Sequence, residues 1–259
     1  MDFVNELYIE ENFVSIANYV NRNRVFWSYS LYGMLHGNAS VQFMAYRDND
    51  GDVGEFIFYA ADRQQKKMPI VLIVPYALGG ESMVEDTYSG NLNQIEAEIS
   101  LAQKHGFAVA WIYAGGKNYA ARKTEKEITA VLNRLQSEFD IDSRRIYVAG
   151  SCEGGRRALV QLTLSPGRYA ACATDSPTTL SGGIDGIPIN LLPQMDKVPI
   201  ILKHGKNDET APVEHSRRFY AAAKQYGVPV EYIETDDGHI RLYRDYYNFA
   251  FDFFSRTNN

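Results

Sequence analysis

An apolar, strand-like run, Ile146-Tyr147-Val148-Ala149, leads without a spacer into Gly150-Ser151-Cys152-Glu153-Gly154-Gly155, and a helical pattern follows from about residue 154. A strand that turns into a helix within so few residues needs glycine where backbones nearly touch. The step also commits the chain to a crossover, because the next strand then returns parallel to the first. The remaining sequence repeats that commitment. Pro69 to Val74 is an unbroken apolar run of the kind found in strands buried on both faces. Periodicity predicts helices near 91–105 and 124–138, from about 154, near 213–226 and from about 240. Strands are predicted at 107–113, 145–149, 170–174, 198–203 and 229–234. Ahead of them, Val41–Tyr46 and Glu55–Tyr59 read as two strands joined by Asp48-Asn49-Asp50-Gly51-Asp52. The expected fold class is therefore α/β, a mostly parallel twisted sheet with helices on both faces.

The acidic turn between the first two strands invites a calcium-loop reading. An EF-hand loop opening at Asp48 needs Gly sixth and Glu twelfth, where this chain has Val53 and Tyr59. A hairpin turn is the better reading.

In a parallel sheet, ligands bind beyond the carboxyl ends of the strands, so the residues standing there matter most. Cys152 is centred in the glycine frame; Ser151 is not, because Ala149 and Glu153 flank it at the same distances. A buried, inert thiol is the common fate of cysteine, but it explains neither the glycines nor the residues that follow. The helix N-terminus behind Cys152, together with a nearby imidazole, is expected to lower the thiol pKa. A second strand end carries His204-Gly205-Lys206-Asn207-Asp208, and the last carries Asp236-Asp237-Gly238-His239.

These residues, in this order, resemble the α/β-hydrolase superfamily, with cysteine where most members carry serine. The Cys, Asp, His order is similar to that of the dienelactone hydrolases. Over residues 55–250 the chain looks more like the broader group of esterases and prolyl-oligopeptidase-like hydrolases. The resemblance implies an α/β-hydrolase fold and a triad of Cys152 as nucleophile, Asp208 as acid and His239 as general base. It implies an oxyanion hole made by the backbone N–H of Glu153 and a second donor, Tyr76 or Ala77, from the loop Pro75–Gly80. It further implies hydrolysis of carboxylic esters, lactones or polysaccharide-linked acyl esters included, through an acyl-enzyme. The alternatives are a prolyl-oligopeptidase-like peptidase and an inactive binding protein that keeps the fold.

Asp175, after the strand at 170–174, is a rival acid. His204 is expected to support the acid loop, and Asp236 and Asp237 to shape the last turn. His36, His105 and His215 carry no partner pattern. No two histidines stand at the spacing of a zinc-binding helix, so neither metal nor cofactor is expected. Thr178, Leu180, Ile184, Ile187 and Leu192 would make the stretch 176–197 a short apolar cap.

Length and charge narrow the class further. The 259 residues fit a lead-in over 1–37, with aromatic residues Phe26, Trp27, Tyr29 and Tyr32, and one α/β-hydrolase catalytic domain over 38–259. A net charge of −6 argues against nucleic acid as partner, and the basic doublets Lys66-Lys67, Arg144-Arg145, Arg156-Arg157 and Arg217-Arg218 are scattered, most of them explained as solvated element ends. No apolar stretch is long enough to span a bilayer. Asp2, Glu6, Glu10 and Glu11 stand where a leader would be basic and apolar. The expected location is thus the cytoplasm, or a secreted or periplasmic compartment for a mature form whose leader has been removed. Two cysteines, Cys152 and Cys172, are too few for a disulfide framework. The expected partner is a small-molecule or polymer-linked ester, with no membrane; the oligomeric state is not readable.

Overall fold

The computed structural model describes residues 40–51, 53–74, 92–112, 121–178, 189–195, 197–239 and 247–257. The lead-in, His36, the loop with Tyr76 and Ala77, and residues 179–188 of the expected cap lie outside them.

Eight strands form one sheet in the order β1-β2-β4-β3-β5-β6-β7-β8. β1 (Val41–Arg47) and β2 (Val53–Tyr59) form the predicted hairpin, pairing Val41 with Tyr59 and Arg47 with Val53. Gly51 turns it at φ 91°, a left-handed conformation that glycine adopts without a steric penalty. The Asp48 carboxylate is used within the turn, accepting the Asp50 N–H at 2.9 Å. β2 meets β4 (Ala108–Ile112) antiparallel, and every pair from β4 across to β8 is parallel.

All seven residues of β3 (Met68–Val74) are buried, so both faces of the sheet are covered there. Helices α1 (Leu92–His105) and α5 (Asn248–Arg256) pack against each other, as do α2 (Ala121–Glu138) and α3 (Glu153–Leu164). Under α5, Phe107 meets Tyr147 edge-on with centroids 5.4 Å apart, and Tyr147 lies 4.8 Å from Phe254. These large side chains are fully buried, and each removes a large apolar area from water. β6 (Ala171–Asp175), β7 (Ile200–Gly205), α4 (Glu214–Tyr226) and β8 (Val230–Thr235) continue the alternation. Between β6 and β7 the described residues include a short 3-10 helix, Ile189–Gln194, within the expected cap.

β5 (Ile141–Ser151) begins four residues ahead of the predicted strand. The polar stretch Asp142-Ser143-Arg144-Arg145 hid its start. Asp142 accepts the Arg144 N–H at 3.0 Å and the Arg145 Nε–H at 2.8 Å, which keeps these charges satisfied along the strand. The register against β3 shifts there: Met68 faces Ile141, and the next pair is Ile70 with Ile146.

The chain passes from β3 to β4 on one side and from β5 to β6 on the other. The carboxyl ends of β3 and β5 are therefore the point where the winding reverses, the place in such sheets where a crevice opens. β5 ends at Ser151, and Cys152 comes next.

Candidate active site

Cys152 occupies the turn between β5 and α3 at φ 51° and ψ −127°, a conformation that L-residues adopt only when surroundings enforce it. Three backbone bonds enforce it here. The Cys152 N–H donates to the Asp175 carbonyl at 2.9 Å, and its own carbonyl accepts the N–H groups of Arg156 and Thr178, each at 3.1 Å. The glycines are a packing necessity. A Cβ on Gly150 would stand 2.4 Å from the Gly154 carbonyl oxygen, and one on Gly155 would stand 2.2 Å from the Thr174 hydroxyl. Gly-Ser-Cys-Glu-Gly-Gly is thus the sequence of a strand and a helix in backbone contact, with Cys152 at the apex.

The thiol departs from the sequence-based expectation. Its pKa is pushed up, not down, to about 11. Burial is the largest cause, and the Glu153 and Asp208 carboxylates add to it. The Glu153 backbone N–H bonded to the sulfur, and the Arg157 guanidinium, act in the opposite direction and are outweighed. A helix N-terminus lowers a thiol pKa when the sulfur is solvated; Cys152 is only 5% exposed. Burial thus favours the neutral thiol over the thiolate.

Asp208 and His239 are brought together. His239 Nδ1 lies 2.7 Å from Asp208 Oδ2, and the Asp208 side chain has no solvent exposure. The other carboxylate oxygen, Oδ1, accepts the N–H groups of Thr210 at 2.8 Å and Ala211 at 2.7 Å. The two loops are stitched along their backbones. Asn207 donates its N–H to the Asp237 carbonyl at 3.0 Å and its side-chain amide to the Asp236 carbonyl at 2.6 Å. Gly205 lets the strands' ends approach, since a Cβ there would sit 2.3 Å from the Asp237 carbonyl oxygen. Asp236 therefore shapes the turn through its carbonyl, and its carboxylate pairs with Lys206. Cys152, Asp208 and His239 all stand at the carboxyl rim of the sheet, after β5, β7 and β8, and the thiol senses the Asp208 charge.

The rival acid is otherwise engaged. Asp175, fully buried, bonds Ser176 Oγ at 3.0 Å and pairs with Lys203 Nζ at 3.3 Å. Burial still pushes its carboxyl upward. Ser151 Oγ lies 3.3 Å from the Tyr247 hydroxyl in the interior, consistent with a packing role.

Two features went unread in the sequence. The Arg156-Arg157 doublet is no solvated element end. Both guanidinium groups close on the buried Glu153 carboxylate, Arg156 Nη2 at 2.5 Å and Arg157 Nε at 3.5 Å, with the Arg157 side chain 3% exposed. A Glu followed at i+3 and i+4 by Arg was the available signal. The second is how His204, expected to support the acid loop, does so: it reaches the same Asp208 oxygen as His239, at 3.1 Å. Cys172 in β6 is buried and free, and its thiol is pushed strongly upward by burial. Among the described residues, no group of three or more His, Cys, Asp or Glu side chains could hold a metal ion, and no helix is long and apolar enough to cross a membrane.

No protein-family model matches this sequence, and no curated protein matches it. Solved structures do match. The Pyrococcus furiosus esterase Pf2001 superposes with a TM-score of 0.64 at 17% identity, covering 86% of this chain and 94% of that one. A Klebsiella pneumoniae protein assigned as a dienelactone hydrolase gives 0.59 at 13% identity, over 82% of this chain and 90% of that one. A Bacteroides ovatus protein assigned as a dipeptidyl aminopeptidase IV gives 0.62 at 17% identity, over 84% of this chain. This chain spans only 35% of that last protein's length. At such identities the likeness is one of fold.

Proposed function

We propose that this chain, which has the α/β-hydrolase fold, hydrolyses carboxylic esters through a thioester formed on Cys152. The observation that carries this reading is the 2.7 Å bond between His239 and the buried Asp208, formed on the rim where the strained turn presents Cys152.

An ionised Asp208 can only accept, so the His239 Nδ1–H donates to it, and the lone pair is left on Nε2. That nitrogen takes the Cys152 proton as sulfur attacks the ester carbonyl. A thiol held at a pKa of about 11 needs such a base, because almost none of it is ionised near neutrality. The carbonyl oxygen becomes an oxyanion, and the Glu153 N–H, which is directed at the sulfur, would donate to it. Tyr76 or Ala77 would supply the second donor. The intermediate expels the alcohol, which carries away the proton held by His239, and a thioester remains. Water then loses a proton to His239, attacks the thioester, and frees the acid and the thiol.

The substrate class is a small-molecule or polymer-linked ester. Among the described residues, only the 3-10 helix Ile189–Gln194 and its flanks represent the expected cap. Short-chain p-nitrophenyl esters tested beside prolyl p-nitroanilides separate this reading from the peptidase one. Ester turnover that vanishes in Cys152→Ala supports it; preference for the anilide, or no acylation by any activated ester, overturns it.

A further inference from the structure

We propose that His204 is a second imidazole donor to the Asp208 carboxylate, a positioning residue that sets how tightly this acid holds His239. The inference rests on the triad reading above and extends it to a group that would not touch substrate.

His204 has no solvent exposure, nor has its partner Ser216. Its Nδ1 lies 2.6 Å from the Ser216 hydroxyl, and its Nε2 lies 3.1 Å from Asp208 Oδ2 and 2.9 Å from the Ala211 carbonyl. Both neighbours of Nε2 are acceptors, so Nε2 carries the proton. Nδ1 then accepts from Ser216, whose hydroxyl fixes the tautomer. Ser216 stands on α4, so the helix after the acid loop is wired to the acid it follows.

The consequence is a competition at one oxygen. Oδ2 receives both the His239 Nδ1–H and the His204 Nε2–H, while Oδ1 is occupied by two backbone donors. A carboxylate stabilises an imidazolium less when other donors already share its charge. Removing the His204 donor therefore strengthens the hold of Asp208 on His239 and favours the protonated ring. His239 would then serve as a base only at higher pH. Among the described residues, the titratable groups around this cluster include Asp175, which senses His204 and pairs with Lys203, the Lys206–Asp236 pair on the adjoining loops, and the Cys152 thiol, which senses Asp208.

The test compares His204→Phe with His204→Gln, whose amide N–H stands where Nε2 stood. In His204→Phe the acid limb of the ester kcat/KM profile moves to higher pH by roughly half a pH unit or more. The His239 Nδ1 proton resonance moves downfield with it. His204→Gln returns both towards the parent values. Should the Phe variant not fold, His204→Asn replaces it, since its shorter amide cannot reach Oδ2. In the parent protein, 15N spectra are expected to show His204 protonated on Nε2 and bare on Nδ1. An acid limb and resonance unmoved in every folded variant, or a His204 protonated on Nδ1, overturns the inference. The two spectroscopic readouts need no turnover, so they separate its failure from failure of the ester-hydrolase reading.

Discussion

His239 and Asp208 are separated by 31 residues of chain, yet Nδ1 and Oδ2 stand 2.7 Å apart with the carboxylate sealed from solvent. The geometry makes Asp208→Asn an informative change. The amide oxygen can still accept from Thr210 and Ala211, so the loop keeps its anchors. The amide nitrogen then faces the His239 ring as a donor and forces the wrong tautomer. Turnover of esters is expected to fall by roughly 10⁴-fold, and the thermal unfolding midpoint to drop modestly, because the amide also faces the buried His204 Nε2–H and leaves it without that acceptor.

Burial of the Cys152 thiol predicts a distinctive alkylation profile. Because its pKa is raised to about 11, the iodoacetamide rate constant should be low near neutrality and rise tenfold per pH step from 7 to 9.5. A plateau below pH 8 would show a standing thiolate and contradict the buried, neutral group. The same shift has a sign for stability. The unfolded thiol ionises near its ordinary value of 9.0 and the folded one near 11, so folding loses stability as pH rises through that window.

Gly205 lets the loops bearing Asp208 and His239 meet by having no side chain. Gly205→Ala places a Cβ 2.3 Å from the Asp237 carbonyl oxygen, and the loop bearing His239 must lift. The expected cost is about 1–3 kcal/mol of stability in urea denaturation. A turnover loss of roughly 10²-fold is expected beside it, because the imidazole is displaced. Stability lost with turnover intact would separate the glycine from the positioning of His239.

Glu153 follows Cys152 and carries a carboxylate that two arginines neutralise. Arg157→Met removes the more deeply buried of the two. Destabilisation of about 3 kcal/mol is expected by chemical denaturation, since a buried charge loses a partner. The double variant with Glu153→Gln should recover part of that loss. Additive losses would show that the two side chains do not act as a pair.

Much of the fold was legible because its signals are local. The seven buried residues of Met68–Val74 announce themselves as an apolar run, and helix boundaries at His105 and Tyr226 fall where periodicity places them. The start of β5 was not legible, because the Asp142–Arg145 bonds that tolerate a polar strand are side-chain geometry. In the site, glycine spacing singled out Cys152, and strand-end positions singled out Asp208 and His239. The direction of the thiol shift was hidden, since burial depends on the whole fold while the helix N-terminus is visible in a short motif. The sharing of Asp208 Oδ2 by two imidazoles was hidden for the same reason: it needs β7 and β8 side by side, with Ser216 behind.

The central claim is a covalent intermediate on sulfur. Intact-mass spectrometry of the protein quenched within seconds of mixing with p-nitrophenyl butyrate tests it most directly. One butyryl group should appear, map to the peptide bearing Cys152, and be released by hydroxylamine, while Cys152→Ala acquires none. Acylation mapped to Ser151, or undiminished ester turnover in Cys152→Ala, would contradict the account.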